Sequence, residues 1–112
     1  MERLEIKVSS DGSERHVVAL RGELDLAAAD RAWAELEPLI NEGALVVLDG
    51  TELEFLDSSG LRVLALAAHR ARDAHAGLRL VAPHHAVQRT LALAGAEKLI
   101  DTRASLGDAL AG

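Results

Sequence analysis

Polar and apolar residues alternate at the start of the chain. Leu4, Ile6 and Val8 are separated by Glu5 and Lys7, the two-residue period of a strand with one covered face. SDGSE follows with turn-forming residues and HVVALRG then offers a second strand, so the opening reads as an antiparallel hairpin. From Leu26 to Asn41 the period changes: Ala29, Trp33, Leu36 and Ile40 recur at helical spacing, which predicts a helix with Trp33 in the core. Asp25 is placed as an acidic N-cap, and Pro38 should kink the helix or end it early.

ALVVLDG is a continuous apolar run, the pattern of a strand covered on both faces, and predicts a central strand. Ser59 to about His75 predicts a second helix. Leu61, Val63, Leu64, Leu66, Ala67, Ala68 and Ala71 make it apolar nearly all round, so most of it should be covered. GLRLVA is a further strand. His84 to Ala94 places Val87, Leu91 and Ala94 on one helix face and stops at Gly95, a residue suited to a left-handed C-terminal position. A short strand around Leu99 to Thr102 and a brief helix opened by a Ser105/Asp108 capping box complete the chain.

The order is β-β-α-β-α-β-α-β-α, with no internal repeat and no linker. Strands joined through single helices pair in parallel by right-handed crossovers, and only the opening hairpin must be antiparallel. The expectation is one α/β domain over residues 1–112, with a mixed, mostly parallel sheet of about five strands and about four helices.

Charge and composition narrow the function classes. The formal net charge of -6, with Trp33 and Phe55 the only aromatic residues, argues against a nucleic-acid partner, which calls for clustered Lys and Arg with stacking rings. The charge is uneven: residues 1–56 hold 13 acidic and 5 basic residues, whereas 57–112 hold 5 and 7. With no cysteine, disulfides and zinc-thiolate sites drop out. The charged, alternating N-terminus lacks the apolar core of a signal peptide, and no apolar run reaches the ~20 residues of a bilayer span. The default is a cytoplasmic protein with no membrane insertion.

In open α/β sheets, sites collect where strands lead into helices. Two such loops carry polar residues: GELD (22–25) and the LDSSG of FLDSSGLRVL (55–64). A nucleophilic serine at 58 or 59 lacks the GxSxG elbow, and His16, His69, His75, His84 and His85 sit in no recognisable triad motif, so an enzyme is not expected. No GxxxxGK[ST] or GxGxxG phosphate loop occurs. His84 and His85, adjacent on a helix, diverge and read as solvated rather than metal-binding. Neither a cofactor nor a metal is implied. Asp57 or Ser58 can cap the helix. Gly60 in its first turn costs about 0.5 to 1 kcal/mol relative to alanine, and capping alone does not account for it. A glycine there lets another backbone come close, and the reading assigns that space to a visiting partner. Ser58, with Arg62 one turn on, is a serine that a kinase can reach.

GELD, then VVLDGTELEFLDSSGLRVL, then GLRLVAPHHAVQRTLALAGAEKLI resembles the STAS domain, specifically the bacterial anti-sigma factor antagonists, from about Val8 to the end. The resemblance implies that the first serine of DSSG, here Ser58, is the phosphorylation site. It implies that the unphosphorylated protein binds an anti-sigma factor with kinase activity and frees the sigma factor, that this partner uses ATP to phosphorylate the serine and escape, and that a metal-dependent serine phosphatase resets it. A homodimer is compatible with this reading. The expected partner surface comprises Glu23, Asp25, Asp57, Ser58, Ser59, Gly60, Leu61 and Arg62. Arg62 stands where many members have glycine or another small residue, which bears on partner choice. Trp33 maps to no function of the family. The competing reading is a STAS domain held permanently in a transporter or signalling complex, with the serine never phosphorylated.

Overall fold

The computed structural model describes residues 2–111. Five strands form one sheet whose spatial order follows the chain: β1 (Leu4–Asp11), β2 (Arg15–Leu24), β3 (Leu45–Leu56), β4 (Gly77–Val81) and β5 (Asp101–Arg103). β1 pairs antiparallel with β2, and every later pair is parallel. Four α-helices accompany them: α1 (Leu26–Leu36), α2 (Ser58–Ala74), α3 (His85–Leu93) and α4 (Leu106–Leu110). The architecture is the mixed α/β sheet expected from the alternation of strand and helix periods.

Successive right-handed crossovers that always step to the next strand put α1, α2 and α3 on the same face of the sheet. Between them lies the main core, with Val18, Leu20, Val46, Leu48 and Leu80 from the strands and Ala28, Leu36, Leu64, Ala67 and Leu91 from the helices. α4 closes the opposite face over Val47 and Val81 through Ala109. β3 is therefore covered on both sides at Val46, Val47 and Leu48, all fully buried, and that is why its sequence shows no alternation there.

Several boundaries and faces differ from the sequence expectations. β3 runs on to Leu56, well past the ALVVLDG run, because β2 and β3 keep pairing through two register shifts, between Ala19 and Arg21 and between Gly22 and Glu23. In α1 the buried stripe is Ala28, Ala32 and Leu36, one residue ahead of the anticipated Ala29–Trp33 face. Small alanines let the helix sit close to the sheet, and Trp33 ends half-buried against the edge of the core rather than within it. Pro38 does end α1 early, opening a single 3-10 turn over Glu37–Leu39. α2 is not covered all round: Gly60, Val63, Leu64, Ala67 and Ala71 form one buried stripe, and Leu66 points outward. On α3, Val87 and Leu91 are buried but Ala94 is exposed, and Gly95 takes the left-handed conformation at φ 69°. The Ser105 cap holds, its hydroxyl accepting the Asp108 amide at 3.2 Å. No helix among the described residues is long and apolar enough to cross a membrane.

Candidate functional site

β2 and β3 end side by side, with Leu24 paired to Leu56, and each is followed by an aspartate in extended conformation. Leu-Asp thus closes both strands and opens both helices. Asp25 caps α1 by accepting the Ala28 amide at 3.3 Å, and Asp57 caps α2 by accepting the Gly60 amide at 3.0 Å. Each satisfies one of the amides that a helix start leaves without an internal partner. Asp57 goes further: its second carboxylate oxygen accepts the Leu26 amide at 3.3 Å, and its own amide donates to the Leu24 carbonyl at 3.4 Å. The starts of α1 and α2 are joined through this one side chain.

Gly60 sits where the helices meet. A Cβ there would lie 2.4 Å from the Leu24 carbonyl oxygen and 2.5 Å from a Leu56 methyl. The expectation that a partner's backbone needs this glycine is therefore corrected: Gly60 is buried, and the backbone that comes close is the protein's own GELD turn. Gly22 answers a similar demand at the other end of that turn. It adopts φ 107°, and any side chain would run into the Arg3 carbonyl, 2.1 Å from an ideal Cβ.

With Asp57 as cap, Ser58 and Ser59 become the first two residues of α2. Ser58 is exposed and Ser59 half-buried, so they differ in what can reach them. Leu61 packs against the core from a half-buried position, and Arg62 is exposed one turn beyond Ser58. Of the expected acidic residues, Asp25 and Asp57 lie at this junction as caps. Glu23 does not cap: it lies at the end of β2 opposite Phe55 and pairs with Arg3 at 3.6 Å, which partly offsets its charge.

Two residues at the junction escaped the sequence reading. Leu26, the first residue of α1, is 77% exposed, and Phe55, two residues before Asp57, is 45% exposed. Leu26 lies off the Ala28–Ala32–Leu36 stripe, so counting back from the correct buried face would have flagged it. Phe55 opens the FLDSSG stretch, yet an aromatic at a strand end gives no signal of its own exposure. Both lie at the same end of the sheet as Ser58, Leu26 bound through its amide to Asp57 and Phe55 three residues before Ser58 in the chain.

Among the described residues, neither serine hydroxyl is hydrogen-bonded to a histidine. His16 is engaged elsewhere, with Ser10 at 2.7 Å and the Ser13 carbonyl at 3.1 Å. His69 and His75 lie along the far half of α2 and at its C-cap, and His84 and His85 at the start of α3. The arrangement offers an exposed serine at a helix N-terminus, where negative charge is favoured.

The STAS domain model matches residues 7–109. A search among curated proteins finds no significant sequence match. Among solved structures, an anti-sigma factor antagonist from Mycobacterium paratuberculosis superposes with a TM-score of 0.84 at 27% identity, covering 96% of this chain and 91% of that one. The anti-sigma factor antagonist SpoIIAA in its unphosphorylated form gives 0.79 at 22% identity, covering 95% and 93%. The Bacillus cell fate determinant SpoIIAA in its phosphorylated form gives 0.72 at 21%, covering 95% and 96%. With the family model spanning nearly the whole chain and the sheet order and helix placement shared with these structures, the protein belongs to the STAS domain family.

Proposed function

We propose that the protein is an anti-sigma factor antagonist whose unphosphorylated form binds an anti-sigma factor with serine kinase activity and so releases a sigma factor. The observation that carries this reading is the exposed Ser58 on the first turn of α2, with exposed Leu26 and Phe55 at the same end of the sheet. It is supported by the likeness to a mycobacterial anti-sigma factor antagonist at 27% identity over almost the full length of both chains. The protein acts as a binding module and phosphoacceptor, not as a catalyst.

Phosphorylation transfers the γ-phosphoryl group of ATP to Ser58 Oγ. ADP leaves and the hydroxyl proton passes to a base on the kinase. The product carries about -1.5 to -2 additional charge and three acceptor oxygens. At a helix N-terminus this charge is favoured by roughly 0.3 to 1 kcal/mol, so the domain itself tolerates it. The penalty falls on the complex. A partner seated on Leu26, Phe55 and Ser58 has no space for a phosphate, and the neighbouring Asp57 carboxylate adds like charge. Each 1.4 kcal/mol lost at that interface weakens binding tenfold. A metal-dependent serine phosphatase then restores the binding form.

The test is incubation with candidate anti-sigma kinases and labelled ATP. Label should enter wild type and Ser59→Ala but not Ser58→Ala. If label survives in Ser58→Ala and disappears in Ser59→Ala, the wrong serine has been assigned. If a cognate partner binds tightly and none of the three proteins is labelled, the protein is a permanent subunit of a larger assembly.

A further inference from the structure

α1 and α2 lie side by side and run the same way, since each follows one of two neighbouring parallel strands. They are tied at their starts by the Asp57–Leu26 bond. At their far ends, Arg70 Nε donates to the Ile40 carbonyl at 3.0 Å. Both helix C-termini therefore open at the end of the molecule remote from Ser58. Between the helices at this end lies an open groove of about 590 Å³. Its apolar surface comes from half-buried Trp33 on α1 and Leu66, 38% exposed, on α2. Neither belongs to the buried stripe of its helix.

The rim is acidic. Glu37, Glu42 and Asp73 line the groove together with His69 and His75, and Arg70 is the only Lys or Arg among its described lining residues. Arg70 is itself committed in part to the Ile40 carbonyl. The two helix ends add the partial negative charge of their last carbonyl groups. We infer that this groove docks a cationic, apolar-anchored segment of a partner protein, at a second surface separate from the Ser58 face. The inference stands on Trp33, Leu66 and the charge of the rim, and does not depend on Ser58 being phosphorylated. A second copy of this chain is disfavoured as the occupant by the net charge of -6.

Trp33 is the only tryptophan and the chain has no tyrosine, so intrinsic fluorescence reads this groove directly. The probe is an amphipathic 14-residue helical peptide of leucine and lysine, titrated against the full chain, with its leucine and glutamate counterpart as control. The lysine peptide should give a saturable change in Trp33 emission and the glutamate peptide none. The double variant Glu37→Lys/Asp73→Lys should weaken binding at least tenfold. Glu5→Lys/Glu54→Lys, which changes the net charge equally at residues that line a different pocket, should weaken it less than threefold, and Ser58→Asp should leave it unchanged. Equal losses in the two double variants would reduce the effect to overall charge and overturn the proposal. So would an emission change that tracks a monomer–dimer equilibrium in light scattering, which would make a second copy the occupant.

Discussion

The carboxylate of Asp57 accepts the amide of Leu26, 31 residues earlier in the chain, at 3.3 Å while capping its own helix at Gly60. One side chain thereby fixes how two helix starts stand against each other, and with them the exposed residues Leu26 and Ser58. Asp57→Ala removes both bonds and should destabilise the domain by about 1 to 2 kcal/mol, the upper part of the range for a lost N-cap. Asp57→Asn keeps one acceptor oxygen and should lose about half as much. Urea unfolding of the three proteins measures this, and equal stability of wild type and Asp57→Ala would show the bridge to be inert.

Gly60→Ala gives the sharper test of the junction. In an ordinary helix interior the change gains up to about 1 kcal/mol. Here the added carbon meets the Leu24 carbonyl at 2.4 Å and Leu56 at 2.5 Å, and overpacking of this kind costs about 1 to 3 kcal/mol. The net expectation is destabilisation, with amide shifts concentrated at Leu24–Leu26 in an NMR spectrum. A stabilised variant would mean that the GELD turn yields freely.

This glycine also shows where the sequence is legible and where it is not. The succession of strands and helices along the chain, the caps at Asp25 and Ser105, the turn at Gly95 and the end of α1 near Pro38 are all local matters of period and backbone chemistry, and they read directly. What Gly60 is for is not local. Its oddness within a helix is visible in the sequence, but the Leu24 carbonyl that requires it is 36 positions away in the chain and near only after β2 and β3 pair. The same holds for faces: apolar Ala29, Leu66 and Trp33 satisfy the helical period, yet small residues at 28 and 32 decide which side of α1 packs closest. Ser58 stands out through its motif, whereas Leu26 and Phe55 emerge as site residues only from their exposure.

On the opposite face of the sheet, three arginines hold the short helix α4 by its carbonyl groups. Arg79 donates to the Ala109 and Ala111 carbonyls at 2.7 and 3.1 Å, Arg103 to Asp108 at 3.2 Å, and Arg15 to Leu110. A five-residue helix has little stability of its own, so these bonds and the burial of Ala109 keep it in place. Arg79→Met retains the apolar stem but loses the donors, and should cost about 1 to 2 kcal/mol. Hydrogen exchange should quicken in α4 well before it does in α2. Uniform quickening across the chain would show that α4 does not open as a separate unit.

Acid should loosen this same edge. The bidentate hydrogen bonds from Arg103 (2.8 and 2.9 Å) hold the Asp101 carboxyl below its usual range, with Arg79 at 3.8 Å adding to the effect. A carboxylate whose folded pKa is lowered contributes fully above its unfolded value, about 3.9, and loses that contribution as pH falls through the lower folded value. The pair is largely exposed, so the effect is small. The stability difference between wild type and Asp101→Asn should be constant from pH 5 to 8 and shrink below pH 4. A difference that grows on acidification would reverse the assignment.

Finally, negative charge at Ser58 should leave the fold intact. Ser58 occupies the first position of α2, exposed, at the end of the helix where the macrodipole favours an anion. Against this works the Asp57 carboxylate one residue earlier, although two amides, those of Gly60 and Leu26, already share its charge. These opposed effects are each on the order of 1 kcal/mol or less, so Ser58→Asp should unfold in urea within about 1 kcal/mol of wild type. Its loss of affinity for a cognate anti-sigma factor should instead be tenfold or more. A mimic that unfolded 2 kcal/mol more easily would place the switch in the fold, and one that kept both stability and affinity would remove Ser58 from the interface.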